Sequence, residues 1–295
     1  MTDTVLIGVD WGTSNLRVFR IGEGGAVLDL RADPRGAGGL APADFPTVLA
    51  EVAGDWLDGD IPVLVCGMAG AQDRWTEVPY RPCPAGLAEI AAGLVRAPDS
   101  RVRLVPGVGR DDGDGLQDVM RGEETQIMGL LSDVGASARV VLPGTHSKWA
   151  TVKDGSITDF RTFMTGELFG AIRKATILGG GMGDPGVDDA AFKTGVMRGL
   201  SEPAVTAALF SVRIEKLSGR LKPESLADYL SGLLIGAEIG AQGAPDGAVL
   251  LVGTDALMER YAMALSFAGF TDVSAVGGAD ITARGLWRIW KASQS

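Results

Sequence analysis

One pattern occurs twice in this chain and narrows its fold more than any other feature. Residues 5–9 form an apolar run suited to a buried strand, ending in the loop Asp10-Trp-Gly-Thr-Ser-Asn15. A strand over 16–21 follows, then a Gly-rich turn at 22–25 and a third strand over 26–30. After residues 135–137 the order restarts: an apolar strand over 138–142, the loop Pro143-Gly-Thr-His-Ser-Lys148, a strand over 149–153, a Gly turn at 154–156 and a strand over 157–161. Each copy reads as a β-meander, not a βαβ unit. A repeat of such long period argues for two related halves, not a solenoid. The spacing therefore predicts domains over 1–135 and 136–295, with the final helix, 281–295, placed to pack back on the first domain.

Between and after the meanders the chain is mixed. Helices are expected over 43–57, 85–94, 123–131, 166–177, 188–199, 203–217, 225–242, 255–268 and 281–291. Strands are expected over 61–66, 102–105, 248–252 and 273–276, and a Gly/Asp-rich loop over 107–116. The class is α/β. At 46% hydrophobic and 22% charged residues, 295 residues can bury a sizeable core.

Charge and chemistry remove several functions. The net charge is −10, which opposes nucleic-acid phosphate and anionic membrane surfaces, so neither is an expected partner. The cysteines, Cys66 and Cys83, form no disulfide framework or zinc motif and read as reduced structural thiols. The single histidine, His146, excludes multi-histidine metal centres. No basic leader or apolar run of about 20 residues is present, which predicts a cytoplasmic protein. Oligomeric state is left open, a homodimer included.

Three apolar strands end in Gly-Thr: Gly12-Thr13, Gly144-Thr145 and Gly253-Thr254. Glycine lets backbone approach an anion, successive amides form a concave nest, and small hydroxyls such as Ser14 add donors. The competing reading is three ordinary β-turns. Asp10, at a strand end before Gly12-Thr13-Ser14, sits where a metal–polyphosphate would lie, or bonds its own turn. There is no G-x-x-x-x-G-K-[ST] sequence, so a P-loop is not the explanation.

These loops resemble those of the sugar kinase/actin/Hsp70 ATPase superfamily, and the chain is similar to the 2-dehydro-3-deoxygalactonokinase family over nearly its whole length. The stretches that carry the similarity are Asp10-Trp-Gly-Thr-Ser-Asn15, Gly67-Met-Ala-Gly70 with Trp75 and Glu77-Val-Pro-Tyr80, Cys83-Pro84, Val119-Met-Arg-Gly-Glu-Glu-Thr-Gln126, Pro143-Gly-Thr-His-Ser-Lys-Trp149, Met164-Thr-Gly-Glu-Leu168 and Leu233-Leu-Ile-Gly-Ala-Glu238. The run Thr176-Ile-Leu-Gly-Gly-Gly-Met-Gly-Asp-Pro185 departs from the family pattern.

The resemblance implies a two-domain actin-like (ribonuclease H-like) fold with a nucleotide cleft between the domains. It also implies transfer of phosphate from ATP, with Mg²⁺, to the 6-hydroxyl of 2-dehydro-3-deoxy-D-galactonate. Alternatives are another 2-keto-3-deoxy sugar acid, an actin-like ATPase and a sugar-acid-binding regulator. By the same resemblance Gly12, Thr13 and Ser14 hold the phosphates from one side and Gly144 and Thr145 from the other. Asp10 orients the metal, and Gly253 and Thr254, with Gly277 and Gly278, lie along the adenosine. The base is a carboxylate near the acceptor hydroxyl: Glu123 first, then Glu124, then Asp118, against a helix-dipole role for the Glu pair. Arg121 leads the cations that could grip the substrate carboxylate, ahead of His146, Lys148 and Arg74, against a structural ion pair with Glu124 or Asp118. Trp75 and Tyr80 are candidate pocket walls, or loop and core packing.

Overall fold

Strand β1 (Leu6–Trp11) is paired on both sides, which is why it is apolar on both faces. On one side it runs antiparallel to β2 (Leu16–Ile21), and β2 runs antiparallel to β3 (Val27–Asp33). The loop between β1 and β2 is closed by the Gly12 amide donating to the Asn15 carbonyl at 2.9 Å. Helix α1 (Phe45–Ala53) leads to β4 (Val63–Gly67), parallel to β1 on its other side. The computed structural model describes residues 3–98, 100–132, 137–186, 188–202, 204–243 and 247–295.

The chain continues through β5 (Arg81–Pro82), α2 (Leu87–Ala92), β6 (Val95–Arg96) and β7 (Val102–Leu104), completing a six-stranded sheet of order β3-β2-β1-β4-β7-β6. The loop expected over 107–116 is instead a hairpin of β8 (Val108–Asp111) and β9 (Leu116–Met120), joined to β5 in a three-stranded sheet. Its Gly/Asp composition belongs to the turn, where Asp111 Oδ1 accepts the amides of Gly113 and Gly115. Helix α3 (Glu123–Leu130) follows. The expected boundary at 135/136 falls outside the described residues.

The second half holds β10 (Ser137–Leu142), β11 (Ser147–Lys153), β12 (Ser156–Phe163), α4 (Thr165–Ala175) and α5 (Asp189–Ser201). The helix expected over 203–217 divides at Phe210 into α6 (Val205–Leu209) and α7 (Ser211–Leu217), and residue 203 itself lies outside the described residues. Then come α8 (Leu226–Gly240), β13 (Val249–Gly253), α9 (Asp255–Phe267), β14 (Val273–Gly277) and α10 (Gly278–Ala292). The sheet order β12-β11-β10-β13-β14 repeats that of β3-β2-β1-β4-β7, and β10 runs parallel to β13 as β1 does to β4. The sequence repeat is thus a repeat of topology.

The chain groups into two units. One comprises Met1–Ala138, Ala150–Arg161 and Gly277–Ser295; the other comprises Arg139–Trp149 and Thr162–Val276. Residues 150–161 and 277–295 therefore group with the first unit, the latter holding the final helix expected to pack back on the first domain. Helix α10 joins the first unit by packing on α3. A Cβ on Gly285 would lie 1.9 Å from the Thr125 carbonyl oxygen, and one on Gly129 would lie 2.1 Å from that of Ile281, so only glycine allows this crossing. In the second unit α5 and α8 cross equally closely, Gly195 against the Tyr229 carbonyl and Gly232 against that of Phe192. Among the described residues no helix is long and apolar enough to cross a membrane.

Candidate active site

In the first unit the polar groups gather where β1 and β4 end. Asp10 stands opposite Arg17 in the β1–β2 ladder, and their side chains form an ion pair at 2.5 Å. On its other side Asp10 is in register with Cys66 of β4. The Cys66 thiol is fully buried and its pKa is pushed well up, first by burial and then by the charges of Asp10 and Glu124, so both carboxylates lie around it. Beyond Asp10, the Gly12 carbonyl accepts from the Ala37 amide and the Thr13 carbonyl from the Gly38 amide, both at 2.9 Å. This second Gly-rich loop, 36–39, packs directly under the first: a Cβ on Gly36 would lie 2.3 Å from Thr13 O. Thr13 and Ser14 are exposed above it.

Helix α3 is brought to the same end by glycine. Gly67 and Gly122 both have positive φ, +87° and +109°, and a Cβ on Gly122 would stand 3.4 Å from the Gly67 Cα. The first two residues of α3 are Glu123 and Glu124, which differ sharply. Glu123 is half-buried and accepts the Arg121 amide at 3.0 Å. Glu124 is fully buried, accepting the Gly122 amide at 2.6 Å and the Thr125 hydroxyl at 2.8 Å. Burial, and then the charge of Glu123, push the Glu124 carboxyl up to about 7. Asp118 sits back in β9, across the hairpin from Arg110.

Arg121 is half-buried in this region. Its guanidinium lies 4.4 Å from the Tyr80 ring centre, and Nη2 donates to the Val78 carbonyl at 2.7 Å. Its Nε and Nη1 are buried with no hydrogen-bond partner among the described residues. Such orphaned donors are costly unless a ligand satisfies them. The Thr76 hydroxyl, on the same 68–80 loop, is likewise buried and unpartnered. Trp75 is 8% exposed, stacked on Phe45 and edge-on to Trp11 in the apolar core, the packing place that was the alternative to a pocket wall. Arg74 is half-buried on the same loop as Tyr80.

In the second unit, Gly144 and Thr254 line one cavity of about 330 Å³, together with Gly166, Gly186, Arg260 and Tyr261. The loop after β10 is gripped by the start of α4: the Glu167 amide donates to the Thr145 carbonyl at 3.0 Å, and a Cβ on Gly166 would meet the Gly144 oxygen at 2.5 Å. His146 is exposed and bonds Glu167 across 2.5 Å, and Lys148 is buried in β11. Gly253 ends β13, Gly277 ends β14 and Gly278 opens α10.

Sequence reasoning missed two groups here. Arg260 faces the cavity, held by fully buried Asp228 at 2.7 Å; Asp228 also accepts the amides of Gly186 and Asp188, fixing the loop beside the cavity. Glu238 is buried among four side-chain donors. Both acids interrupt the apolar run of α8, which is the one signal that could have flagged them.

A hydrated divalent cation asks for few protein oxygens, and Asp10, its Oδ2 tied to Arg17, presents one carboxylate that would fit such an ion. The described residues hold no cluster of three or more His, Cys, Asp or Glu suited to an all-protein metal site.

The profile of a protein family described as 2-keto-3-deoxy-galactonokinase matches residues 10–289. A 2-dehydro-3-deoxygalactonokinase of Escherichia coli (strain K12) is 38% identical over 277 residues, spanning 92% of each chain. A crystal structure from Sinorhizobium meliloti named for the same kinase matches with a TM-score of 0.88 at 40% identity, covering 97% of this chain and 98% of that one. The activator of the 2-hydroxyisocaproyl-CoA dehydratase from Clostridium difficile, solved with bound ADPNP, shares the fold alone, with a TM-score of 0.55 at 14% identity over 98% of this chain and 96% of that one.

Proposed function

The chain belongs to the 2-keto-3-deoxy-galactonokinase family, and from that premise we propose that it transfers the γ-phosphoryl group of ATP to the 6-hydroxyl of 2-dehydro-3-deoxy-D-galactonate, as a cytoplasmic enzyme. The observation that carries the choice of an acidic sugar is Arg121. A guanidinium fixed by Tyr80 and Val78, with two nitrogens, Nε and Nη1, left unpaired in a buried place, is complementary to a carboxylate. Thr76 offers a hydroxyl to the same substrate.

Phosphoryl transfer asks the protein chiefly for positioning and charge neutralisation. On this reading the cavity lined by Gly144 and Thr254 takes the nucleotide, and the Gly144–Thr145 backbone meets its phosphates. In the first unit, the exposed Gly12–Ser14 loop, braced from below by residues 36–39, offers amides and hydroxyls of the kind that bind phosphate. Asp10, steadied by Arg17, would hold Mg²⁺, which neutralises charge on the phosphates when bound. Glu123 accepts the proton of the acceptor hydroxyl, because it is the accessible member of the Glu pair. Glu124, sealed beneath it, shapes the start of α3.

The test is ADP release from Mg-ATP with and without 2-dehydro-3-deoxygalactonate, alongside a panel of 2-keto-3-deoxy sugar acids. Release that depends on the galactonate-derived acid supports the reading. Substrate-independent turnover, or dependence on a different acid alone, overturns it.

A further inference from the structure

Glu238 is 2% exposed within α8, and its carboxylate meets four donors. Oε1 accepts the Ser147 hydroxyl and the Trp149 indole N–H, each at 2.7 Å. Oε2 accepts the Tyr261 hydroxyl at 2.8 Å and the Thr165 hydroxyl. Two donors on each oxygen use the full accepting capacity that only an ionised carboxylate offers among side chains of this size.

Two of the four donors line the cavity, and the other two stand on the strand that follows its Gly144 loop. Ser147 is the residue immediately after the Pro143–His146 loop. Thr165 is the first residue of α4, and the next two, Gly166 and Glu167, are those that grip Gly144 and Thr145. Thr165 and Tyr261 themselves line the cavity. Three elements, β11, α4 and α9, are thereby pinned to one residue on a fourth, α8. Burying a carboxylate is costly, and an apolar residue of similar volume would be the more stabilising choice for packing alone.

We propose that Glu238 is a positioning residue for ATP: it fixes the Gly144–Thr145 loop from both sides, through Ser147 where the loop ends and through Thr165 where α4 holds it. This inference rests on the assignment of that cavity to the nucleotide. Glu238 does not touch ATP; it sets the place of the backbone that does. A carboxamide at this position keeps one oxygen for Ser147 and Trp149 and can meet the Thr165 and Tyr261 hydroxyls only by turning them into acceptors, so all four ties lose the strength the carboxylate charge lends them, with little change of volume.

The experiment compares wild type and Glu238→Gln by calorimetric titration with Mg-ATP, by steady-state kinetics in both substrates, and by amide hydrogen exchange. KM and Kd for ATP are expected to rise about tenfold, equivalent to about 1.4 kcal/mol, while KM for the sugar acid stays unchanged. Exchange should quicken in 143–149 and 163–168 and not in the first unit. A purely structural role would lower the folded fraction without moving one KM alone. An unaltered ATP Kd in folded Glu238→Gln, or an equal rise in both KM values, overturns the proposal while leaving the kinase reading intact. Absence of ATP binding by wild type overturns both. Should Glu238→Gln fail to fold, Ser147→Ala and Tyr261→Phe each remove one donor, and each is expected to raise KM for ATP about two- to threefold; no change in either overturns the proposal.

Discussion

Replacing Glu124 with Gln should make the protein more stable at pH 8 and leave it almost unchanged at pH 4. The Glu124 carboxyl is fully buried and its pKa is pushed from the ordinary 4.5 up to about 7, by burial first and by the neighbouring charge of Glu123 second. Above 4.5 the unfolded chain gives up the proton, whereas the folded chain keeps it to about 7. The folded state therefore binds more protons across that window, and stability falls as pH rises through it. At about 1.4 kcal/mol per pH unit, the loss reaches about 3 kcal/mol once the pH is well above 7. A carboxamide carries no charge to desolvate. Its oxygen can accept the Gly122 amide and its NH₂ can donate to the Thr125 hydroxyl, so both present hydrogen-bond positions stay filled. The assay is denaturant unfolding of wild type and Glu124→Gln at pH 4, 6 and 8 without nucleotide, followed by tryptophan fluorescence. The variant should gain about 3 kcal/mol over wild type at pH 8, a smaller margin at pH 6 and almost none at pH 4. A difference between the two proteins that stays constant with pH would refute the reasoning, because only the titration of Glu124 separates them.

Glu123→Gln should lower kcat by about 100-fold or more, the range expected for a lost general base, with ATP affinity unchanged; Glu124→Gln should keep near-normal kcat, and the reverse result in the same assay would move the base to Glu124. Asp10→Ala should abolish Mg-ATP turnover while circular dichroism reports an intact fold, and an active variant would contradict the metal role. Arg121→Gln should raise KM for the sugar acid by tens-fold, as expected on losing charged hydrogen bonds of about 2 kcal/mol, with KM for ATP unmoved; equal effects on both substrates would assign Arg121 to structure.

What could be read in advance, and what could not, follows from the range of the interactions involved. The β1–β2 hairpin was legible because apolar alternation and the Gly12–Asn15 turn are local, and that turn already dictates that Asp10 faces Arg17. The second meander was legible for the same reason, and repetition pointed to two related halves, while the full strand order of either sheet was not read. The β8–β9 hairpin was hidden because its strands are short and its turn is rich in Gly and Asp, so composition spoke only for the turn. Trp75 left two readings open because an aromatic near a loop proline has the same local signature whether it walls a pocket or packs in the core, and it stacks on Phe45, thirty residues earlier. The hardest cases were Asp228 and Glu238. Each lies in an apolar helix where a lone acid has no local partner, and its donors come from positions 23 to 91 residues away for Glu238 and 32 to 42 for Asp228. A buried acid in an apolar helix is nevertheless informative before any coordinates exist. Desolvation forbids it unless donors converge on it, and convergence from several elements happens where those elements must be held in register. In this chain Asp228 secures Gly186 and Arg260, and Glu238 ties Thr165 and Tyr261, all four of which line the cavity proposed for the nucleotide.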